Sequence, residues 1–269
     1  MTSGPTQTPQ PAASPPVDLS IIVPSYMEAR AIESTLEQLA AYLATHDFGS
    51  VEVVVVVADS PDGTARLAQS KASLFKQFKL VHAGPKAGKG RDVRLGIFEA
   101  SGRYKIFMDA DLATPLRHLS DAYNALNQGA DVVIAVRNLW SIHDGLLRKI
   151  MSAFGNLFIQ ALVLPGIKDT QCGFKAFRAE SAEAIFSRQS MLGWSFDAEI
   201  LKIARLLGYK IHTFEAPDWQ DPKKANMGLA GDSPLHAAIQ TLIDTIEIRL
   251  NVWEGRYKRP SYVHNKAMY

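Results

Sequence analysis

The sequence predicts a single-domain α/β protein built on a doubly wound, mostly parallel sheet. Short apolar segments alternate with helical patterns along the first half of the chain. Some of these segments, such as Val53 to Val57, are continuous runs of valine, which is typical of parallel strands covered by helices on both faces. A chain of 269 residues with 47% hydrophobic content is long and apolar enough to bury one such core. In sheets of this kind the ligand binds at the carboxyl ends of the strands.

The pattern places strands and helices in a definite order. Five strands are predicted at 19–23, 51–57, 79–82, 105–108 and 131–136. Between the first two, Ile32, Leu36, Leu39 and Leu43 recur at three- and four-residue intervals, as one buried helix face requires. Beyond residue 136 the pattern is less regular and predicts a helix near 145–164, a loop at 165–173, a helix near 196–207, a strand near 210–215 and a helix near 235–252.

Composition divides the chain into a leader, one domain and a tail. The first seventeen residues are rich in Pro, Thr, Ser, Gln and Ala and are predicted to be a disordered leader. No basic cluster followed by an apolar run occurs there, so no signal peptide is predicted. The domain is expected over 18–253, with halves at 18–136 and 137–253, and a basic tail over 254–269.

Charge and cysteine content exclude several classes of protein. A net charge of +2 with dispersed basic residues does not indicate a nucleic-acid-binding protein. The single cysteine, Cys172, excludes an intramolecular disulfide and a cysteine-based zinc site, which fits a reducing compartment. No segment reaches the roughly 18 uninterrupted apolar residues of a spanning helix. The most apolar helical segment, 150–164, has Ser152, Asn156 and Gln160 on one stripe. A cytoplasmic location is therefore expected, with this helix either in the core or on a membrane surface.

The strongest chemical signal is Asp109-Ala110-Asp111, directly after the strand that ends at Met108. Two carboxylates one residue apart can face one site if the chain leaves the extended conformation there. A hard divalent cation such as Mg²⁺ or Mn²⁺ prefers such oxygen ligands. The alternative is a solvated turn, since Asp is common where strands end.

Two further loops follow predicted strands. In the first, Asp59 could accept hydrogen bonds from a base or a ribose, whereas Asp62 is better suited to capping the helix that follows. The second, Gly84 to Arg91, is a glycine-rich basic loop that could bring backbone N–H groups and cations to phosphates. It lacks the spacing of a P-loop, and a plain flexible loop explains it equally well.

The order of these motifs resembles the family 2 glycosyltransferases with the GT-A fold. The resemblance begins with a strand followed by Pro24, Tyr26 and Glu28 and continues through Asp59, Gly88-Lys89-Gly90 and the acidic pair. The segments 169–175 (DTQCGFK) and 193–199 (GWSFDAE) resemble the branch that contains dolichyl-phosphate and polyprenyl-phosphate glucosyltransferases and mannosyltransferases. The resemblance covers roughly residues 18–220 and implies a nucleotide-sugar half at 18–136 and an acceptor half at 137–253.

The resemblance also implies a role for each matched residue. Donor binding is implied for Pro24, Tyr26, Glu28, Asp59, Lys89 and Asp109. Metal binding is implied for Asp109 and Asp111, and sugar or acceptor binding for Gln171, Trp194, Asp197 and Glu199. Two departures stand out: Ala58 replaces the first Asp of the usual Asp-Asp-Gly-Ser stretch, and Ala113 stands where mannosyltransferase relatives can have a polar residue.

The implied reaction is inverting, metal-dependent transfer of a hexose from a nucleotide sugar to a polyprenyl or dolichyl phosphate, with UDP-glucose favoured over GDP-mannose. A phosphate acceptor is already anionic at neutral pH, because its second ionisation lies near pH ~6. It needs nearby cations, of which Arg137 is the first candidate, ahead of Arg117, Arg148 and Lys175. A hydroxyl acceptor on a soluble sugar or glycan is the alternative and would need a general base, for which Asp197 is the candidate.

A lipid acceptor further implies peripheral contact with the cytoplasmic face of a membrane, through 150–164 or the basic tail. A nucleotidyltransferase is the remote alternative, since it also pairs an α/β sheet with metal-binding carboxylates.

Overall fold

The structure is a computed structural model that describes residues 16–137, 159–160, 162–220 and 234–262, without the side chains of 234–238. Most of the predicted leader, most of the predicted helix near 145–164, Arg148 and the end of the basic tail lie outside the described residues. Between 256 and 262 the chain contacts the domain: Tyr257 is buried, and the backbone N–H of Ser261 donates to the carbonyl of Ser187 at 2.8 Å.

The described strands form one seven-stranded sheet in the order β3-β2-β1-β4-β6-β5-β7. Their bounds are β1 Leu19–Ser25, β2 Val51–Ala58, β3 Phe78–Gly84, β4 Tyr104–Met108, β5 Val132–Arg137, β6 Phe174–Arg178 and β7 Ile211–Ala216. Strands β1 to β4 are mutually parallel, as is the pair β5 and β7. Only β6 runs antiparallel to its neighbours among the paired strands. The predicted mostly parallel sheet is therefore confirmed.

Helices cover both faces of this sheet. The described α-helices are α1 Ile32–Thr45, α2 Thr64–Ser70, α3 Lys89–Glu99, α4 His118–Asn127, α5 Ala179–Phe186, α6 Phe196–Leu206 and α7 Pro234–Trp253. Side chains of α1, α2 and α4 belong to one hydrophobic cluster, and those of α3, α5, α6 and α7 belong to the other.

The valine run of β2 shows why this sequence folds this way. Val54 and Val56 belong to one cluster, while Val53, Val55 and Val57 belong to the other. Because side chains alternate between the two faces of a strand, a strand covered on both faces needs apolar residues at every position. Continuous apolar sequence is therefore the physical requirement of a central parallel strand.

Strand β6 and helix α5 are elements that the sequence pattern missed. Strand β6 lies between β4 and β5 and pairs with both, from Tyr104↔Arg178 to Met108↔Phe174 and at Val133↔Ala176. Its sequence contains Lys175, which is fully buried. A lysine in the sequence indicates an exposed position, so the apolar pattern of a buried strand was interrupted there and the strand was not predicted.

In the described part of the chain, no helix is both long and apolar enough to cross a membrane.

Candidate functional site

The two aspartates predicted to bind metal follow β4, the central strand of the sheet. The chain turns there: Leu112 has a positive φ of 54°, and the N–H of Ala113 donates to Oδ1 of Asp111 at 3.1 Å. From α1, the hydroxyl of Thr35 donates to the carbonyl of Ala110 at 2.5 Å. These bonds take the acidic pair out of the extended conformation, as convergence of both carboxylates on one site requires.

Lys89 joins the acidic pair from the first turn of α3. Its Nζ lies 2.5 Å from Oδ1 of Asp109 and 5.4 Å from the ring centroid of Trp194. Burial acts to lower the pKa of Lys89, but the carboxylates of Asp109, Asp197 and Asp111 raise it above its ordinary value. The structure thus brings together five of the predicted site residues, and the ammonium of Lys89 stays charged among them.

Gly173 makes room for Asp109. A Cβ at position 173 would lie 1.8 Å from Oδ2 of Asp109, closer than any real contact, so only glycine allows this approach. The described residues contain no group of three or more His, Cys, Asp and Glu side chains placed to hold a metal. Asp109 and Asp111, both partly exposed, fit a divalent cation that takes its other ligands from phosphate and water.

A buried ion pair lies behind this cluster. Nζ of Lys175 donates hydrogen bonds to Oδ1 of Asp197 and to the carbonyl of Cys172, the latter at 2.7 Å. Burial raises the pKa of Asp197, and the charges of Lys175 and Lys89 oppose that shift. Lys175 was one of the cations considered for the acceptor phosphate, but its burial and its pairing engage it within the protein.

Arg137 is held by the loop before β6. Its Nε and Nη2 donate to the carboxylate of Asp169 at 2.7 and 2.9 Å, and its guanidinium lies 5.0 Å from the ring centroid of Trp219. The N–H of Gln171 also donates to Asp169, at 3.1 Å, and the Gln171 side chain is exposed. Burial acts to lower the pKa of Arg137, but the bonds to Asp169 raise it. Acceptor binding by Arg137 and Gln171 stays a prediction.

Glu199 organises the loop that carries Trp194. Its carboxylate accepts hydrogen bonds from the N–H groups of Ser190 and Met191 at 2.9–3.1 Å, from the Ser190 hydroxyl at 2.5 Å and from the Tyr257 hydroxyl at 2.9 Å. Burial acts to raise the pKa of Glu199 despite these bonds. The structure places this carboxylate against the loop and Tyr257, and the predicted contact of Glu199 with sugar or acceptor stays untested.

The same loop packs on the glycine-rich segment. The carbonyl of Leu192 accepts a hydrogen bond of 3.2 Å from the N–H of Arg91. Gly88 has a φ of 119°, and a Cβ there would lie 2.3 Å from that carbonyl, so both conformation and space require glycine. Trp194 itself is 65% exposed. This packing brings an exposed aromatic ring next to Lys89.

The predicted donor-binding loops also meet at the carboxyl ends of the strands. Asp62 accepts hydrogen bonds from the N–H groups of Ala29 and Thr64 at 3.0 and 3.1 Å and from the Thr64 hydroxyl at 2.7 Å. Asp62 thus bonds to the first residue of α2, but the N-cap position is Gly63, which makes no side-chain capping bond, so the predicted capping role of Asp62 is wrong in that detail. Nζ of Lys86 lies 4.6 Å from the ring centroid of Tyr26.

The remaining donor residues lie in the same region. The N–H of Asp59, whose side chain is exposed, donates to Gly84 at 2.8 Å. Pro24 lies near the end of β1, and the N–H of Glu28 donates to Thr64 at 3.0 Å. The roles of these residues in binding a nucleotide stay predictions.

Comparison with known proteins adds a sequence likeness. Residues 20–186 match the family described as Glycosyl transferase family 2. The chain is 30% identical to a dolichyl-phosphate β-glucosyltransferase of Trichomonas vaginalis, over 91% of this chain and 78% of that protein. It is 30% identical to the dolichyl-phosphate β-glucosyltransferase of Dictyostelium discoideum, over 90% and 78% of the two chains, and 29% identical to that of Homo sapiens, over 91% and 79%.

A likeness to solved structures concerns the fold. The chain superposes on glucosyl-3-phosphoglycerate synthase from Mycobacterium tuberculosis in complex with Mn²⁺, UDP-glucose and phosphoglyceric acid. The TM-score is 0.65 at 16% sequence identity, with 91% of this chain and 81% of that chain covered. The likeness confirms the predicted GT-A fold.

Proposed function

Because this chain belongs to glycosyl transferase family 2, we propose that it is the glycosyltransferase that moves a hexose, with glucose favoured, from a nucleoside-diphosphate sugar to a polyprenyl or dolichyl phosphate. The proposed transfer inverts the anomeric carbon and uses Mg²⁺ or Mn²⁺. The relatives named dolichyl-phosphate β-glucosyltransferase, which match about nine-tenths of the chain, support this donor and acceptor.

The observation that carries the proposal is the convergence of Asp109, Asp111 and Lys89 at the carboxyl end of the central strand. A nucleotide-sugar diphosphate carries negative charge that grows on the departing phosphate as the glycosidic bond breaks. A cation held by the two aspartates would neutralise that charge. We propose that Lys89, at the start of α3, contacts the same phosphates.

The acceptor attacks in line, from the side of the anomeric carbon opposite the diphosphate. An acceptor phosphate oxygen forms the new bond to carbon, and the electron pair of the old bond leaves with the nucleoside diphosphate. We propose that the ring of Trp194, which is exposed and lies next to Lys89, covers the sugar and restricts its orientation. Because the acceptor oxygen is already anionic, this reaction needs no general base.

The environment of Asp197 supports a phosphate acceptor over a hydroxyl acceptor. A general base must reach the proton that it removes. Asp197 is only 2% exposed and is paired with Lys175. In the proposed reaction Asp197 therefore acts as a positioning residue, whose charge balances Lys175 and helps to keep Lys89 protonated.

The direct test is incubation of the purified chain with UDP-glucose or GDP-mannose, a short polyprenyl phosphate and Mg²⁺ or Mn²⁺, with glycosylated lipid measured by mass. We expect hexosyl lipid, release of a nucleoside diphosphate and loss of product with a chelator. Release of pyrophosphate would instead identify a nucleotidyltransferase. Product made equally well without metal, or full turnover by Asp111→Ala, would disprove the proposed mechanism.

Asp197→Asn separates the two acceptor classes. A phosphate acceptor predicts a partial loss of turnover, because Asp197→Asn removes the charge next to Lys175 and Lys89 but removes no general base. A hydroxyl acceptor predicts collapse by a factor of about 10²–10⁴, the usual contribution of a general base. The rate of transfer to a polyprenyl phosphate and to a soluble glycan, measured with the same variant, decides between them.

The proposed acceptor is a membrane lipid, so we also propose that the enzyme works at the cytoplasmic face of a membrane. The proposed chain organisation is a leader at 1–17, a catalytic domain at 18–253 and a basic tail at 254–269. One of the two proposed membrane contacts, 150–164, lies mostly outside the described residues.

A further inference from the structure

The last helix, α7, exposes a stripe of large apolar side chains. Its members are Ile239, Ile243, Ile246, Leu250 and Trp253, with exposed fractions of 48%, 52%, 48%, 49% and 85%. They follow one another at intervals of four, three, four and three residues. At about 100° per residue these positions fall within an arc of roughly 80° on the helix. We call this set the outer stripe of α7.

The outer stripe faces away from the domain. Thr245, Ile248 and Asn251 of the same helix are buried, and Ile248 belongs to the hydrophobic core. By helical geometry these residues point about opposite to the stripe. A contiguous apolar surface of this kind, next to polar residues, marks an interaction site.

The surroundings of the stripe are basic. Burial and the charges of Arg249 and Arg205 lower the pKa of Lys202, which places the end of α6 beside α7. Lys258 and Arg259 are exposed at the end of the chain segment that follows. Among the acids, Glu247 is exposed on α7 beside the stripe, Asp244 accepts hydrogen bonds from Ser195 and Gln240, and Glu254 is paired with Arg256. The basic residues around the stripe therefore outnumber Glu247, and this excess of positive charge complements an anionic partner.

Helix α7 is attached to the loop at the mouth of the proposed active site. The hydroxyl of Ser195 donates to Asp244 at 2.5 Å, and the hydroxyl of Tyr257 donates to Glu199 at 2.9 Å. Trp194, next to Ser195, stands exposed over Lys89. A surface that covers the outer stripe would thus lie near the place where an acceptor must enter.

We propose that the outer stripe of α7 inserts into the boundary between headgroups and acyl chains of a bilayer that contains anionic lipids. The apolar residues enter the boundary, Trp253 occupies the interface, and the basic residues around the stripe contact the lipid phosphates. This proposal rests on the proposed function in one respect: a lipid-linked acceptor requires the site to lie at a membrane.

A second copy of the chain is the competing occupant. Two copies would bring two basic surroundings together, and such like-charge contact disfavours association. Anionic lipid meets the same surroundings with opposite charge. The basic residues therefore favour the membrane as the occupant of the stripe.

Vesicle binding of the whole chain tests the proposal. Wild type is sedimented with vesicles of phosphatidylcholine alone and of phosphatidylcholine with phosphatidylserine, both free of polyprenyl phosphate. The test variant combines Ile243→Gln, Ile246→Gln and Leu250→Gln. Glutamine favours the helical conformation, so these substitutions remove the apolar groups without breaking α7. The matched control is Leu74→Gln, since Leu74 is 47% exposed outside α7. A charge variant combines Arg205→Glu and Arg249→Glu.

We expect wild type to bind the anionic vesicles and the triple variant to bind them at least about tenfold more weakly, as loss of inserted apolar groups predicts. Leu74→Gln should bind like wild type, and the charge variant should lose binding to anionic vesicles in particular. Unchanged melting temperatures show that the variants fold. Equal binding of wild type and the triple variant, or no binding by wild type, overturns the proposal.

Sedimentation velocity without lipid detects the competing occupant. A wild-type dimer that becomes a monomer in the triple variant would assign the stripe to a second copy and overturn the proposal. Calorimetric titration with UDP-glucose and Mn²⁺ tests the donor site separately. Vesicle binding without donor binding would refute the proposed function alone, and donor binding without vesicle binding would refute the membrane contact alone.

Discussion

Replacing Gly173 by alanine tests the placement of Asp109 without changing its chemistry. The added Cβ would lie 1.8 Å from Oδ2 and 2.4 Å from Cγ of Asp109. Contacts below 3.0 Å are essentially never observed for a Cβ. The carboxylate and position 173 must therefore separate by about 1.2 Å, the difference between 3.0 Å and the 1.8 Å distance to Oδ2. The carboxylate would then leave the position that we assign to the metal and the donor diphosphate.

The size of the effect follows from this displacement. A misplacement of about 1 Å in a catalytic site costs about 10²-fold in rate. That factor corresponds to about 2.7 kcal/mol of lost transition-state stabilisation. We therefore expect kcat/KM of Gly173→Ala to fall about 100-fold, together with a weaker dependence of donor binding on Mn²⁺.

Steady-state transfer from UDP-glucose and calorimetric binding of UDP-glucose with and without Mn²⁺ measure the two effects. Gly193→Ala is the matched control, because it lies in a loop of the same site and a Cβ there meets nothing within 4 Å. The melting temperature separates misplacement from unfolding. If Gly173→Ala stays folded and keeps wild-type kcat/KM, the assigned position of Asp109 is wrong.

Three further predictions concern the surroundings of the site. Lys175→Met leaves Asp197 buried without its partner and should lower the free energy of unfolding in urea by about 3–5 kcal/mol; a change below about 1 kcal/mol would contradict an ionised pair. Although burial acts to raise it, hydrogen bonds lower the pKa of Asp62 below 3.8, so its stabilisation should be complete above pH 3.8 and lost as pH falls through the folded-state pKa. The stability difference between wild type and Asp62→Asn, measured from pH 6 to pH 2 in steps of about 0.5 pH unit, should shrink in that window, and a constant difference would argue against this prediction. Glu199→Gln places an amide N–H₂ group against the N–H groups of the loop, so it should raise KM for the lipid more than it lowers kcat. Amide hydrogen exchange around Trp194 should become faster. A fall in kcat with unchanged KM would instead point to a direct role of Glu199 in catalysis.

The parallel strands and the donor side of the site were predictable because local pattern and topology suffice for them, whereas the strand order was not, because β6 between β4 and β5 was missed. Continuous apolar runs identify parallel strands, and the carboxyl ends of parallel strands meet at one edge of the sheet. The acidic pair at Asp109 and Asp111, the basic loop with Lys89 and the loop with Asp59 and Asp62 could therefore be assigned to one region from sequence. The close contact between Lys89 and Asp109 could not, since the distance depends on how α3 packs.

The sequence by itself determined the α/β architecture, the loops at the strand ends and the family, because these follow from the hydrophobic period and from the order of motifs along the chain. Only the tertiary structure decided that Lys175 is buried against Asp197, that Glu199 accepts hydrogen bonds from the loop before Trp194, and that the Tyr257 hydroxyl donates to Glu199. The partner of each buried polar group is distant in sequence, between eight and 58 residues away. Burial of such a group is favourable only when its partner is in place, and that is settled by packing of the whole chain.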